Sequence, residues 1–440
     1  MLYYFLKLII GTGVKLFYKE INVNNLANLN TKGPKIIIAN HPQTLMDGWI
    51  LAQISDDRVY AVVKGTFFDN KLKNWFLRSL GLIPINRATE SKTQGVNNLS
   101  SFEACYRILE EGKTLVIFPE GNSFAERVLR ELKTGTARIA LEVERRNDAK
   151  LDLSIIPVGL IYLQAEKFRS SIQVNVGERI DILPYLEEYS SGSGSAHKKL
   201  TEVFRVSLEN LLVGSHTAEY EESIDAIAKL LESKYIESDE DGVRKDVNLV
   251  KDTYARINDI IVSEPLKLDE IFSMYERIKL QLQQLEIKAE FLDRNYRPWM
   301  FVRQIAFSAI FIALALPFYI IGLFCNLIQF KLVDWMTLKV TQSVEYFAPI
   351  AILMSLVLYP LYYWGIVSVI DYYLPITFWP KFILFFSFPV FGLMAYYTHY
   401  YIKHVSLKAH FMYMMSNEKD KMRTIRRERE ELRTMIFGKN

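Results

Sequence analysis

Lys35-Ile36-Ile37-Ile38-Ala39-Asn40-His41-Pro42 is a short β-branched run that ends on an imidazole. Apolar residues in succession, with no polar alternation, suit a strand buried on both faces, as parallel sheets require. Pro42 suits the first turn of a helix, which would put His41 at a strand-to-helix junction. Outward from here the pattern repeats. Arg58 to Val63 and Gly81 to Ile85 read as strands, and Ser101 to Glu111 reads as a helix through Phe102, Cys105, Ile108 and Leu109, stopping at Gly112. Thr114 to Phe118 is a strand delivering Pro119-Glu120-Gly121 at its end, and Leu153 to Leu163 and Ile172 to Val176 are two more. Strands separated by helices imply an α/β domain with a largely parallel central sheet. Chemistry in such sheets gathers at the carboxyl ends of strands, where both His41 and Glu120 fall.

The chain of 440 residues exceeds the usual size of one domain, and half of its residues are hydrophobic despite 53 basic and 50 acidic ones. The apolar residues are concentrated between Phe301 and His404, whereas residues 215 to 295 are polar and charged. A net charge of +3 makes no case for nucleic acid. Cys105 and Cys325 lie far apart without metal-ligand spacing, which excludes a disulfide framework and fits buried, inert thiols.

The division expected from these patterns begins with an interfacial N-terminal helix at residues 1–20, broken by Lys7, Gly11, Gly13 and Lys15 and lacking a cleavage site. A catalytic α/β domain at 21–215 follows, then a helical region at 216–298, a membrane segment at 299–404 and a basic cytoplasmic tail at 405–440. In the helical region Ile271, Met274, Tyr275, Ile278, Leu282, Leu285, Ala289 and Leu292 form one stripe. It implies helix–helix contact, within the chain or with a second copy through residues 266–293.

Three stretches are long enough to cross a bilayer: Gln304 to Cys325, Ala348 to Ile370, and Phe382 to Ile402. Arg294, Arg297 and Arg303 precede them, and Lys403, Lys408 and Arg426-Arg427 follow. If both basic flanks are cytoplasmic, the number of crossings is even. Pro317 then predicts that Gln304 to Cys325 forms a bent or re-entrant pair of half-helices, with the other two stretches as a transmembrane hairpin.

Four signatures occur in order: His41 and Asp47; Gly81-Leu82-Ile83-Pro84-Ile85-Asn86-Arg87; Phe118-Pro119-Glu120-Gly121-Asn122-Ser123; and Ile155-Ile156-Pro157-Val158-Gly159. Together they resemble the glycerolipid acyltransferase family over roughly residues 20 to 215. The resemblance implies transfer of a fatty acyl group from acyl-CoA or acyl-carrier protein to a hydroxyl of glycerol-3-phosphate or 1-acylglycerol-3-phosphate, with no metal and no cofactor. A hydroxyl attacks a thioester poorly until a base takes its proton, and histidine titrates near neutrality. His41 fills that role, and Asp47 would fix its tautomer. The resemblance gives Arg87 the acceptor's phosphate, with Lys64 and Lys133 as further cations for it; Glu120 and Gly121 would bind the acceptor, and Pro157 would shape the acyl-donor groove.

Two departures from the family pattern stand out. Many members place four residues between His and Asp, and this chain has five, so contact requires a wide turn or a His outside the helix. Asn122-Ser123-Phe124 also lacks a cation that is often present there. No Gly-x-Ser-x-Gly elbow suggests a serine nucleophile. His197, His216, His399, His404 and His410 read as structural. The competing readings are a lipid ester or thioester hydrolase and a non-catalytic membrane scaffold.

Overall fold

The computed structural model describes residues 2–85, 98–124, 129–192, 194–212, 218–231, 242–292 and 297–438. Arg87, Arg294 and His216 lie outside the described residues. The first part of the chain runs α1 (Leu2–Phe17), β1 (Glu20–Asn24), β2 (Lys35–Ala39), α2 (Leu45–Ile54), β3 (Val59–Lys64), α3 (Lys71–Ser79), β4 (Leu82–Ile85) and α4 (Asn98–Glu110). It continues with β5 (Thr114–Ile117), α5 (Gly135–Arg146), β6 (Ser154–Tyr162), β7 (Ser171–Val176), α6 (Leu186–Ser190) and α7 (Ala196–Glu209). The strands form one seven-stranded sheet in the order β1-β7-β6-β2-β5-β3-β4.

Five adjacent strands, β6, β2, β5, β3 and β4, are mutually parallel. β7 is antiparallel to β6, and β1, which the sequence pattern did not announce, pairs parallel with β7. The largely parallel α/β fold is therefore as expected. β2 lies in the middle, with Ile36, Ile37 and Ile38 fully buried. Each such side chain contributes about 1.5–3 kcal/mol through burial. Helices α4, α5 and α7 cover one face through Leu109, Leu141, Leu200 and Phe204. Cys105 belongs to this core, and burial pushes its thiol up to about 12, which leaves it inert.

Two compact units divide the chain differently from the linear partition. The first comprises residues 1–213 together with Met336–Leu356, and the second comprises Gly214–Trp335 with Val357–Asn440. In the first unit α1 packs on α2, where Gln53 lies against Gly11 and donates to the Lys7 carbonyl at 2.8 Å. Gly13 of α1 lies against Ile352. Tyr4, Phe5, Leu8 and Leu16 of α1 are exposed.

The remaining helices are α8 (Ala218–Leu231), α9 (Gly242–Ser263), α10 (Pro265–Gln284), α11 (Pro298–Val340), α12 (Val344–Tyr373), α13 (Phe378–Asn417) and α14 (Lys419–Phe437). The stripe on α10 is occupied within the chain: Ile271, Tyr275, Ile278 and Leu282 are buried, and α10 packs on α14 and α9. The stretch expected as a basic tail is helical. α13 continues to Asn417, and α14 buries Met422, Ile425, Leu432 and Ile436. Its apolar residues recur at helical spacing among the charges, and that pattern makes it a packing helix.

α11, α12 and α13 are long and apolar enough to cross a membrane. The bent or re-entrant pair of half-helices expected around Pro317 takes the form of one continuous helix of 43 residues, α11, with Pro317 inside it. Its first half runs beside α13 (Ser308 with Tyr401, Asn326 with Phe388) and its second beside α12 (Gln329 with Leu358, Thr337 with Met354), so that from its middle both halves lead away from the α12–α13 turn. Proline removes one backbone hydrogen bond, and apolar helices tolerate that loss when local adjustments re-satisfy the freed carbonyl. Within the second unit α11 and α13 approach closely at small residues. Gly322 abuts the Phe391 backbone, and Asn326 lies against Gly392 and donates to the Phe388 carbonyl at 3.1 Å. Tyr363 of α12 donates to Asn326 Oδ1. Close approach at glycine with an interhelical polar contact is how apolar helices associate without a hydrophobic driving force.

Candidate active site

β2 and β5 are parallel neighbours, with Ile38 opposite Ile117. Both end at the same edge of the sheet, so the next few residues of each, up to His41 and Glu120, meet there. Asn40 makes the transition out of the strand. Its amide donates to the Leu160 carbonyl at 2.9 Å and accepts from the Leu160 N–H at 2.7 Å. A side chain thus supplies one more rung between β2 and β6, and the main chain can turn away without orphaning buried groups on β6.

His41 is held at both backbone groups. Its N–H donates to Glu120 Oε1 at 2.9 Å, and its carbonyl accepts from the Phe124 N–H at 3.1 Å. The imidazole stacks on Phe118, ring centroids 3.9 Å apart and planes 12° from parallel. Its Nδ1 lies 2.9 Å from Asp47 Oδ2. The ring is 17% exposed and the Asp47 side chain 0%.

Asp47 is fully enclosed, so its charge must be met by donors. Oδ2 also accepts the Gln43 N–H at 2.7 Å, and Oδ1 accepts the Tyr162 hydroxyl at 2.7 Å. Tyr162 ends β6, at the same edge as His41. Burial and the neighbouring Asp47 charge push its hydroxyl well above the usual tyrosine range, so it stays a donor. Nothing in the sequence marked Tyr162 beyond its place three residues after the fourth signature.

The five-residue spacing is absorbed by an irregular turn. α2 begins at Leu45, so His41 and Pro42 both precede the helix. Thr44 has φ 47° and ψ −117°, and the Met46 N–H donates to the Gln43 carbonyl at 2.9 Å. This is the geometry of a turn whose first central residue is ordinarily glycine. Thr44 is retained there, with Oγ1 donating to the Glu345 carbonyl at 2.9 Å. Pro42 does not start the helix as expected; the chain needs the extra turn to carry Asp47 back to the imidazole.

Glu120 is buried, and its second oxygen accepts the Arg130 N–H at 3.1 Å. Burial pushes its carboxyl above the usual range, while the two backbone donors pull the other way. Both oxygens therefore serve the main chain, one of them at His41 itself. Gly121 has φ +75°, and a Cβ there would meet Lys133 Cε at 3.2 Å, so the glycine gives room to the lysine stem. The Lys133 N–H donates to the Pro119 carbonyl at 2.8 Å.

Lys64 ends β3 opposite Ile85 of β4, at the same carboxyl edge, and Ile85 stands two residues before Arg87. Pro157 is not at a strand end. It lies buried inside β6 opposite Ile38, with Gly177 close to its ring. Among the described residues no cluster of His, Cys, Asp and Glu has the makings of a metal site.

Residues 20–161 match the family model described as Acyltransferase. They form an acyltransferase domain, in agreement with the family that the four signatures resemble. Among matching solved structures is the 1-acyl-sn-glycerophosphate (LPA) acyltransferase PlsC from Thermotoga maritima. It is 20% identical, with 47% of this chain and 79% of that chain covered, at a TM-score of 0.34. No curated protein matches the chain.

Glu120→Gln tests the clamp. A glutamine keeps the size but offers only one acceptor oxygen, so one buried backbone N–H loses its partner, at a cost of about 1–3 kcal/mol. The expected outcome is a lower Tm and a lower kcat with the acceptor KM unchanged. A raised acceptor KM at unchanged Tm would instead give Glu120 a hydroxyl-binding role.

Proposed function

We propose that this protein is a membrane-bound O-acyltransferase. In this reading it moves a fatty acyl group from a thioester, acyl-CoA or acyl-carrier protein, to a hydroxyl of glycerol-3-phosphate or 1-acylglycerol-3-phosphate. The observation that carries the reading is the His41 Nδ1–Asp47 Oδ2 contact at 2.9 Å, with Asp47 fully buried and otherwise bonded to Gln43 and Tyr162. A carboxylate in that place accepts the Nδ1 proton and leaves the Nε2 lone pair to take a proton from the acceptor hydroxyl. The alkoxide-like oxygen attacks the thioester carbonyl, and the imidazolium returns its proton to the departing thiolate. Tyr162 and Glu120 act by position: one holds the aspartate, the other the backbone of the histidine.

Arg87, with Lys64 and Lys133, supplies the charge for the acceptor's phosphate. Lys64 ends β3 and Lys133 crosses Gly121, both at the carboxyl edge that bears His41. Arg87 follows the end of β4. The catalytic domain lies on the cytoplasmic face. Its Thr44 binds the backbone at Glu345, two residues past the α11–α12 turn, so that turn sits on the same side as the site.

His41→Ala lowers acyl transfer by about 10²–10⁴-fold with folding retained, and Asp47→Asn is comparably severe because the wrong ring nitrogen carries the proton. Tyr162→Phe removes one donor from a charged acceptor, an interaction of about 1.5–3 kcal/mol. The expected result is a kcat lower by about 10- to 160-fold with an unchanged acceptor KM. Purified His41→Ala with normal turnover ends this mechanism.

Arg87→Lys weakens saturation by the acceptor more than by the donor, since an ammonium lacks the bidentate fork. Equal defects toward both substrates would remove Arg87 from phosphate binding.

Topology is read by thiol labelling in sealed vesicles. A cysteine replacing Gln342 is expected to react only from the side of the catalytic domain, and one replacing Thr377, in the α12–α13 turn, only from the other. Labelling of both from one side means that α12 does not cross.

A further inference from the structure

α3 is a nine-residue helix, Lys71-Leu72-Lys73-Asn74-Trp75-Phe76-Leu77-Arg78-Ser79, with no buried residue. Leu72 is 74% exposed, Trp75 65% and Phe76 38%, and Phe67 just before the helix is 51% exposed. At 3.6 residues per turn, Leu72, Trp75 and Phe76 fall within one arc of about 100°. Lys73 borders that arc on one side, and Lys71 and Arg78 border it on the other. The helix contains no acidic residue. Asn70 caps it, accepting the Lys73 N–H at 2.8 Å, so the short helix is fixed at its start.

Nothing in an aqueous fold rewards exposing a tryptophan, a leucine and a phenylalanine side by side. An apolar centre containing Trp and bordered by basic residues is the arrangement that lies in a membrane interface: rings enter the acyl boundary and cations meet anionic headgroups. The helix follows β3, whose carboxyl end is at the catalytic edge of the sheet.

We propose that α3 is an interfacial anchor, inserting Leu72, Trp75 and Phe76 into an anionic bilayer surface and holding the carboxyl edge of the sheet against it. The proposal rests on the membrane location given under Proposed function, but not on the reaction. An acceptor or donor with a long acyl chain then reaches His41 from the lipid phase.

The test uses the full chain in nanodiscs containing phosphatidylglycerol. Cys105 and Cys325 are buried, and the unsubstituted chain gives the labelling background. Bimane is attached in separate variants, Trp75→Cys, Leu72→Cys, Leu361→Cys in α12 and Asp148→Cys beyond α5. The expected result is that bimane at positions 72, 75 and 361 loses most of its fluorescence to nitroxide-bearing lipid and little to aqueous iodide. At position 148 the order reverses. Quenching at 361 by lipid but at 72 and 75 by iodide overturns the anchor while leaving the membrane location intact. Protection at 72 and 75 from both quenchers overturns it too, because protein then covers the face. Iodide quenching at 361 as well removes the membrane location itself.

Discussion

The buried charge of Asp47 is the constraint on which the site depends. A carboxylate with no exposure survives only where donors surround it, and here they come from three places: the imidazole of His41, the backbone of Gln43 and the hydroxyl of Tyr162. Each donor fixes something larger. Tyr162 requires β6 to end at the catalytic edge, Gln43 requires the turn before α2, and His41 requires β2 to stop at Ala39. The Asn40–Leu160 pair meets that last demand by replacing a backbone rung with a side chain. Sheet order, turn and dyad thus follow from one another.

How much of this was legible in the sequence depended on range. Apolar runs such as Ile36-Ile37-Ile38 report burial on both faces directly, so the strands, the parallel sheet and the place of His41 and Glu120 at strand ends were readable. The spacing between His41 and Asp47 announced a turn but not its geometry, because a positive φ at threonine has no local signature. Tyr162 was invisible for another reason: its partner is 115 residues away, and only the register of β6 against β2 brings the hydroxyl to the carboxylate. The part Glu120 plays is likewise set by long-range backbone contacts. Arg87, the sequence's main candidate for the phosphate, lies outside the described residues.

The membrane segment shows where composition rules stop. Length and hydropathy located three long apolar helices, and a proline in their midst pointed to a bent or re-entrant course for the first. At 43 residues the axis of α11 is about 64 Å long, twice the hydrocarbon thickness of about 30 Å, and from its middle its two halves lead along α13 and α12 away from the α12–α13 turn. The buried polar contacts of Asn326 and the glycines beside it were readable only as composition until α11 and α13 were placed together.

The stretch Met336–Leu356 belongs to the same compact unit as the sheet, although more than a hundred residues assigned to the other unit stand between them in the chain. It carries the Glu345 carbonyl that holds Thr44 and the Ile352 that meets Gly13. That unit is therefore discontinuous in the gene. A fragment stopping near residue 213 carries all four signatures and still lacks the strap against which its strained turn rests. Loss or exchange of the C-terminal half in evolution would not leave a smaller version of the same unit behind, because the long apolar helices return part of themselves to the fold that precedes them.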